Sequence, residues 1–106
     1  MSPVIVIATI SPAPGHEQAV RDVLLEAIPK VHAEPGCVQY ALHEAIGDST
    51  DLVFVEKWES IDALRVHGKA PALAEAGPKL ADKLAKPMDV RRLTAIPAGT
   101  PEQGEI

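Results

Sequence analysis

Aromatic side chains are almost missing from this chain of 106 residues, which holds one Trp, one Tyr and one Phe. With so few rings available, none of Tyr40, Phe54 and Trp58 is filler, and each is a candidate for core or pocket duty. Cysteine is equally scarce. The single Cys37 excludes an intrachain disulfide and any CxxC metal or redox motif. It fits a reducing compartment, where a lone Cys serves as a small apolar core residue. Clustered positive charge is lacking too: the formal net charge is -5, and Arg91-Arg92 is the only adjacent basic pair. Phosphate binding needs Lys/Arg stripes, so no nucleic-acid partner is expected. The apolar run Val4 to Ile10 is too short to cross a bilayer and has no basic lead-in, so neither signal peptide, anchor nor membrane partner is expected. A cytoplasmic location is the corresponding expectation. Walker, GxGxxG and GxSxG patterns are all missing, which argues against nucleotide cofactors and a nucleophile elbow.

What is present reads as one domain, expected over residues 1–97 with a polar tail over 98–106. Hydrophobic residues at 46% and charged residues at 24% give a soluble globular balance. Val4 to Ile10 is continuous and largely β-branched, as in a strand buried on both faces. Ser11-Pro12-Ala13-Pro14-Gly15 ends it. From His16, the positions Val20, Val23, Leu24, Ala27 and Val31 recur at helical spacing, with Pro29 predicting a kink or a stop near Ile28. Two strands follow, Cys37 to Ala45 and Leu52 to Trp58, joined by the loop Gly47 to Asp51. Ser60 is a natural N-cap for a short helix carrying Ile61, Leu64 and Val66. Pro71 restarts a helix that Gly77-Pro78 is expected to split, and Val90 to Ile96 is the last predicted strand. This order predicts an α+β, ferredoxin-like split βαβ fold with helices on one face of an antiparallel sheet. Neither Val4 to Ile10 nor Leu52 to Val55 alternates apolar with polar, so the second sheet face must also meet something apolar. A homodimer through the sheet faces is the simplest expectation.

The four histidines share no ligand spacing, with no HxH, no HExxH and no i,i+4 pair, so no metal site is expected. His16 and His32 read as helix-end residues. His43 alternates with Cys37, Gln39 and Ala41, small or polar side chains that would leave room beside an imidazole. A strand end reaching water is the plainer reading of the same residue. His67 ends the short helix just before Gly68, where it is either a favourable helix-end charge or a group poised near neutral pH. Trp58 shares a strand face with Phe54 and Glu56, which together would make an apolar wall with a titratable group attached. Tyr40 falls on the opposite face from His43 and is expected at the dimer interface.

The segments EPGC (Glu34 to Cys37), YxLH (Tyr40 to His43) and EKWES (Glu56 to Ser60), with the helical His67, resemble the antibiotic biosynthesis monooxygenase family. The resemblance runs from about Val4 to Ile96. It implies a homodimeric α/β barrel with a pocket between sheet and helices in each protomer. It also implies oxygenation of anthrones, quinols or related phenols by O₂ with no cofactor. On that resemblance His43 and Trp58 match pocket positions and His67 matches the histidine of the short helix, giving His43, His67 and Trp58 as catalytic candidates. Phe54, Glu56 and Leu64 are the substrate-binding candidates. Phe54 stands where anthrone oxygenases carry an amide, and Leu64 where they carry a tyrosine. The haem-degrading branch places an axial histidine where this chain reads Ala76-Gly77, so haem chemistry is not expected. The expected partners are thus a second copy, a small aromatic substrate and O₂; a non-catalytic dimeric protein binding a small apolar molecule is the alternative.

Overall fold

The computed structural model describes residues 2–106. Four strands, β1 (Val4–Ile10), β2 (Cys37–Glu44), β3 (Leu52–Trp58) and β4 (Asp89–Leu93), pair in the order β2-β3-β1-β4. Every neighbouring pair is antiparallel, and the sheet is open at both edges. Helices α1 (Glu17–His32), α2 (Ile61–Gly68) and α3 (Pro71–Leu80) supply the second layer, and a single turn, α4 (Pro101–Gly104), lies in the tail. This is the α+β ferredoxin-like arrangement that the element order predicts.

The two layers meet through one face of the sheet. Val4, Val6, Ala8 and Ile10 of β1 and Leu52, Phe54 and Trp58 of β3 are buried there. They form one cluster with Val20, Leu24 and Val31 of α1 and Ala72 and Leu80 of α3. Each large apolar side chain fully buried in such a cluster contributes about 1.5–3 kcal/mol. The opposite face carries Ile5, Ile7, Val53 and Val55, as the pairings Ile7↔Val55 and Thr9↔Val53 require. None of these four belongs to the core cluster, yet all are apolar, so β1 and β3 do not alternate apolar with polar.

Three expectations fail in instructive ways. Of the kink or stop expected near Ile28, the stop does not occur: α1 runs on to His32. The carbonyl that a proline at 29 leaves unpaired belongs to Leu25, and Leu25 is half exposed, so the lost bond is not sealed away from solvent. Gly77-Pro78 likewise leaves α3 whole, because Ala74, four residues earlier, faces solvent. The last strand is shorter than expected, Asp89–Leu93, since β1 offers partners only from Ile5 to Thr9.

A β-bulge sets the face of β2. The register jumps between Cys37↔Trp58 and Gln39↔Lys57, leaving Val38 as the extra residue. Cys37 therefore packs toward the core together with Tyr40 and Leu42, while Gln39, Ala41 and His43 point to the bare face. The expectation that His43 shares the helix-covered face, and Tyr40 the other, is reversed. The large apolar side chains of the strand, not the small ones, turn toward the helices.

Candidate functional site

Between the sheet and the helices lies a cavity of about 450 Å³. Its floor comes from Val6, Ala8, Tyr40, Phe54 and Glu56, and its walls from α1, α2 and α3 through residues including Leu24, Leu64, His67 and Leu73. Val90 and Arg92 of β4 close one side: they pair with Ala8 and Val6 and so share their face. A second hollow of about 320 Å³ runs between α1 and the hairpin loop, but Arg21 and Glu44 there are spent on each other. The cavity under the helices is the candidate site, since it combines apolar walls with buried titratable groups.

Those groups reach the cavity for local reasons. Ser60 caps α2, its Oγ accepting the Ala63 N–H at 3.1 Å. The helix so fixed carries His67 in its last turn, where the side chain is only 5% exposed. Strand alternation puts Glu56 and Trp58 beside Phe54, and the Trp58 Nε1–H donates to Glu56 Oε1 at 2.9 Å. Tyr40, directly across from Glu56 in the ladder, stacks on Phe54 with ring centroids 4.2 Å apart. The His67 imidazole lies against the Trp58 indole at 4.4 Å and meets the Tyr40 ring edge-on at 5.6 Å. His67 Nδ1 stands 2.7 Å from Glu34 Oε1, at the start of the turn that leads into β2.

Burial decides the protonation balance. The Glu56 carboxyl is pushed above its ordinary value mainly by desolvation and further by the charge of Glu34. The Trp58 hydrogen bond and His67 pull it back only in part. The Tyr40 phenol is pushed far up, by burial first and then by Glu56 and Glu34, so it stays a hydrogen-bond donor at any physiological pH. Burial also raises the Cys37 thiol, with Glu34 and then Glu56 adding to it.

The sequence candidates divide. His67, Phe54, Glu56 and Leu64 line the cavity. Trp58 does not: it is fully buried beside His67 and Glu56, donating to the Glu56 carboxylate and packing against the His67 ring. His43 is exposed on the other face, with Nδ1 3.3 Å from the Val53 carbonyl oxygen, so the two histidines do not converge within a protomer. Sequence reasoning missed Tyr40, Arg92 and Glu34. Tyr40 could have been found by asking which β2 residues are large and apolar. Glu34 could not, because nothing local ties it to a histidine 33 positions away.

A sequence model described as antibiotic biosynthesis monooxygenase matches residues 3–79. The chain belongs to the antibiotic biosynthesis monooxygenase family. Its relatives include “Putative monooxygenase Rv0793” of Mycobacterium tuberculosis, 34% identical over 90% of this chain and 93% of that protein. Another is “Probable quinol monooxygenase YgiN” of Escherichia coli, 40% identical over 62% of this chain and 73% of that protein. Among solved structures, Rv0793 superposes with a TM-score of 0.86 at 32% identity, covering 93% of this chain and all of that one. PA3566 from Pseudomonas aeruginosa gives 0.84 at 29% identity, over 91% and 96% of the two chains. The family places this protein among monooxygenase-like domains. Among the described residues, no helix is long and apolar enough to cross a membrane.

Proposed function

We propose that the cavity oxygenates a phenolic, quinol or anthrone-like aromatic with O₂ and no cofactor, and that His67 is its base. The observation that carries this reading is a buried histidine, held by a carboxylate, in the wall of an apolar cavity sized for a few fused rings. Ground-state O₂ reacts poorly with a neutral phenol but accepts an electron from a phenolate. The protein then has two tasks, taking the phenolic proton and keeping water away. His67 takes the proton; one electron passes to O₂, and the two radicals join at a ring carbon as a peroxide. Loss of the C–H proton and cleavage of the O–O bond then give the carbonyl product and one water, so a phenol and O₂ become a quinone and H₂O. Arg92, an exposed cation on the cavity-facing row of β4, favours the phenolate over the phenol. Tyr40 remains protonated and offers an O–H to developing charge.

The reading takes the protein as a homodimer joined through the bare sheet faces, with Ile7, Val53 and Val55 covered by a second copy into a closed barrel. Their partly exposed apolar surface in the single chain supports it. The test is O₂ uptake by the metal-stripped protein with a panel of hydroquinones and anthrones, its dimeric mass checked by sedimentation. Uptake is expected to exceed autoxidation, to fall roughly 10²–10⁴-fold in His67→Ala, and to stay within about twofold in His43→Ala. Uptake no faster than autoxidation across the panel refutes catalysis. It leaves the same cavity as that of a binding protein, which quenching of Trp58 fluorescence by the same ligands would report.

A further inference from the structure

We propose that Glu34 is the positioning residue of this site, holding His67 in the tautomer whose Nε2 is bare and able to accept a proton from a ligand in the cavity. The proposal rests on the reading of His67 as the base and adds what makes it one. The contact between His67 Nδ1 and Glu34 Oε1 is 2.7 Å long, and the two side chains are only 6% and 10% exposed. A carboxylate can only accept, so the hydrogen sits on Nδ1 and the neutral ring keeps its lone pair on Nε2. Among the described residues Nε2 has no hydrogen-bond partner, yet it is not one of the sealed, unpartnered polar atoms; it keeps open surface in a residue that lines the cavity. The Trp58 indole against one ring face and Tyr40 at its edge restrict a ring flip that would exchange the two nitrogens.

Two further observations point the same way. Glu34 Oε2 is buried with no partner. Leaving half a carboxylate unsatisfied costs stability that an apolar side chain would not, so packing alone does not explain a glutamate here. The turn is also built to bring this carboxylate to this helix. Gly36 has φ +78, and a Cβ there would lie 2.5 Å from the Cβ of Ala63 in α2. The Glu59 N–H donates to the Gly36 carbonyl at 2.9 Å, tying the start of the helix segment to the same turn. Only with glycine at 36 does α2 sit on the turn, and only then does residue 34 meet residue 67.

The test is the ¹⁵N spectrum of histidine-labelled full-length protein at a pH where the imidazole is neutral, with His67 identified by its loss in His67→Ala. The wild type is expected to show Nδ1 protonated and Nε2 bare. In Glu34→Gln, whose amide can either accept from or donate to Nδ1, the second tautomer is expected to appear at comparable population. O₂ uptake by the same variant is expected to lose roughly 10–100-fold in kcat with KM held within about twofold, the scale at which partners of a functional histidine act. A wild-type spectrum with Nε2 protonated overturns the proposal without any variant. So does an unchanged tautomer and kcat in Glu34→Gln while His67→Ala is inactive, an outcome that leaves His67 as the base. Full activity in His67→Ala removes the base reading and this proposal with it.

Discussion

Replacing Gly36 by alanine tests the contact on which the site is hung. Two separable costs arise. An L-residue at φ +78 pays about 1–2 kcal/mol for the left-handed backbone. The new methyl would also stand 2.5 Å from Ala63 Cβ, well inside ordinary carbon–carbon contact, and overpacking of this kind costs about 1–3 kcal/mol. Gly36→Ala should therefore lose about 2–5 kcal/mol, a large share of the ~5–15 kcal/mol of a typical domain. Gly15→Ala isolates the first cost, because Gly15 has φ +87 and a methyl added there would meet nothing within 4 Å. Ala63→Gly in the Gly36→Ala background isolates the second, since it removes the opposing methyl for about 1 kcal/mol of helix propensity. Urea unfolding followed by the single, fully buried Trp58 reads wild type, Gly15→Ala, Gly36→Ala, Ala63→Gly and the Gly36→Ala/Ala63→Gly double variant. The double-mutant cycle should return about 1–3 kcal/mol of coupling. Coupling within about 0.5 kcal/mol of zero, or a Gly36→Ala loss no larger than that of Gly15→Ala, would refute the argument that close approach of turn and helix sets the site.

Glu56→Gln should stabilise the protein increasingly as pH rises. The native carboxyl is held above its unfolded value, so between the two values the folded state binds more protons and wild-type stability falls with pH. The amide keeps an acceptor for Trp58 Nε1–H without the buried charge. Paired urea melts from about pH 4, near the unfolded carboxyl value, to pH 8 check this, and a benefit that shrinks with pH would contradict burial as the main cause. Arg92→Ala should raise KM for ring ligands that bind as anions by roughly 2–5-fold, the scale of an exposed charge pair worth about 0.5–1 kcal/mol. The same change should leave neutral isosteres unaffected, and equal losses for both in ligand titrations would remove Arg92 from recognition.

The segment from Glu34 to His67 already held most of the site in its linear order. Alternation in Leu52–Trp58 put Phe54, Glu56 and Trp58 on one face, and Ser60 announced the helix that carries His67. These signals are local: a period of two, a cap, a run of β-branched residues. They stand in the sequence because each is enforced by neighbours within a turn or a pleat. The prolines misled because whether a helix tolerates the lost hydrogen bond depends on which carbonyl is freed and whether water reaches it. Pro29 and Pro78 each free a carbonyl on an exposed residue, Leu25 and Ala74, and both helices continue.

By itself, then, the chain determined its strands, its helices and their order, consequences of short-range sterics and patterning, while its family was legible from the resemblance of a few short motifs. Tertiary structure decided which face each β2 residue takes, through one bulged residue at Val38. It also decided that His43 stands apart from His67, that Trp58 lies behind the cavity wall, and that Glu34 meets an imidazole 33 residues on. Those outcomes depend on register and on the approach of a turn to a helix. Both are fixed by contacts between segments far apart in sequence, and no local pattern encodes them.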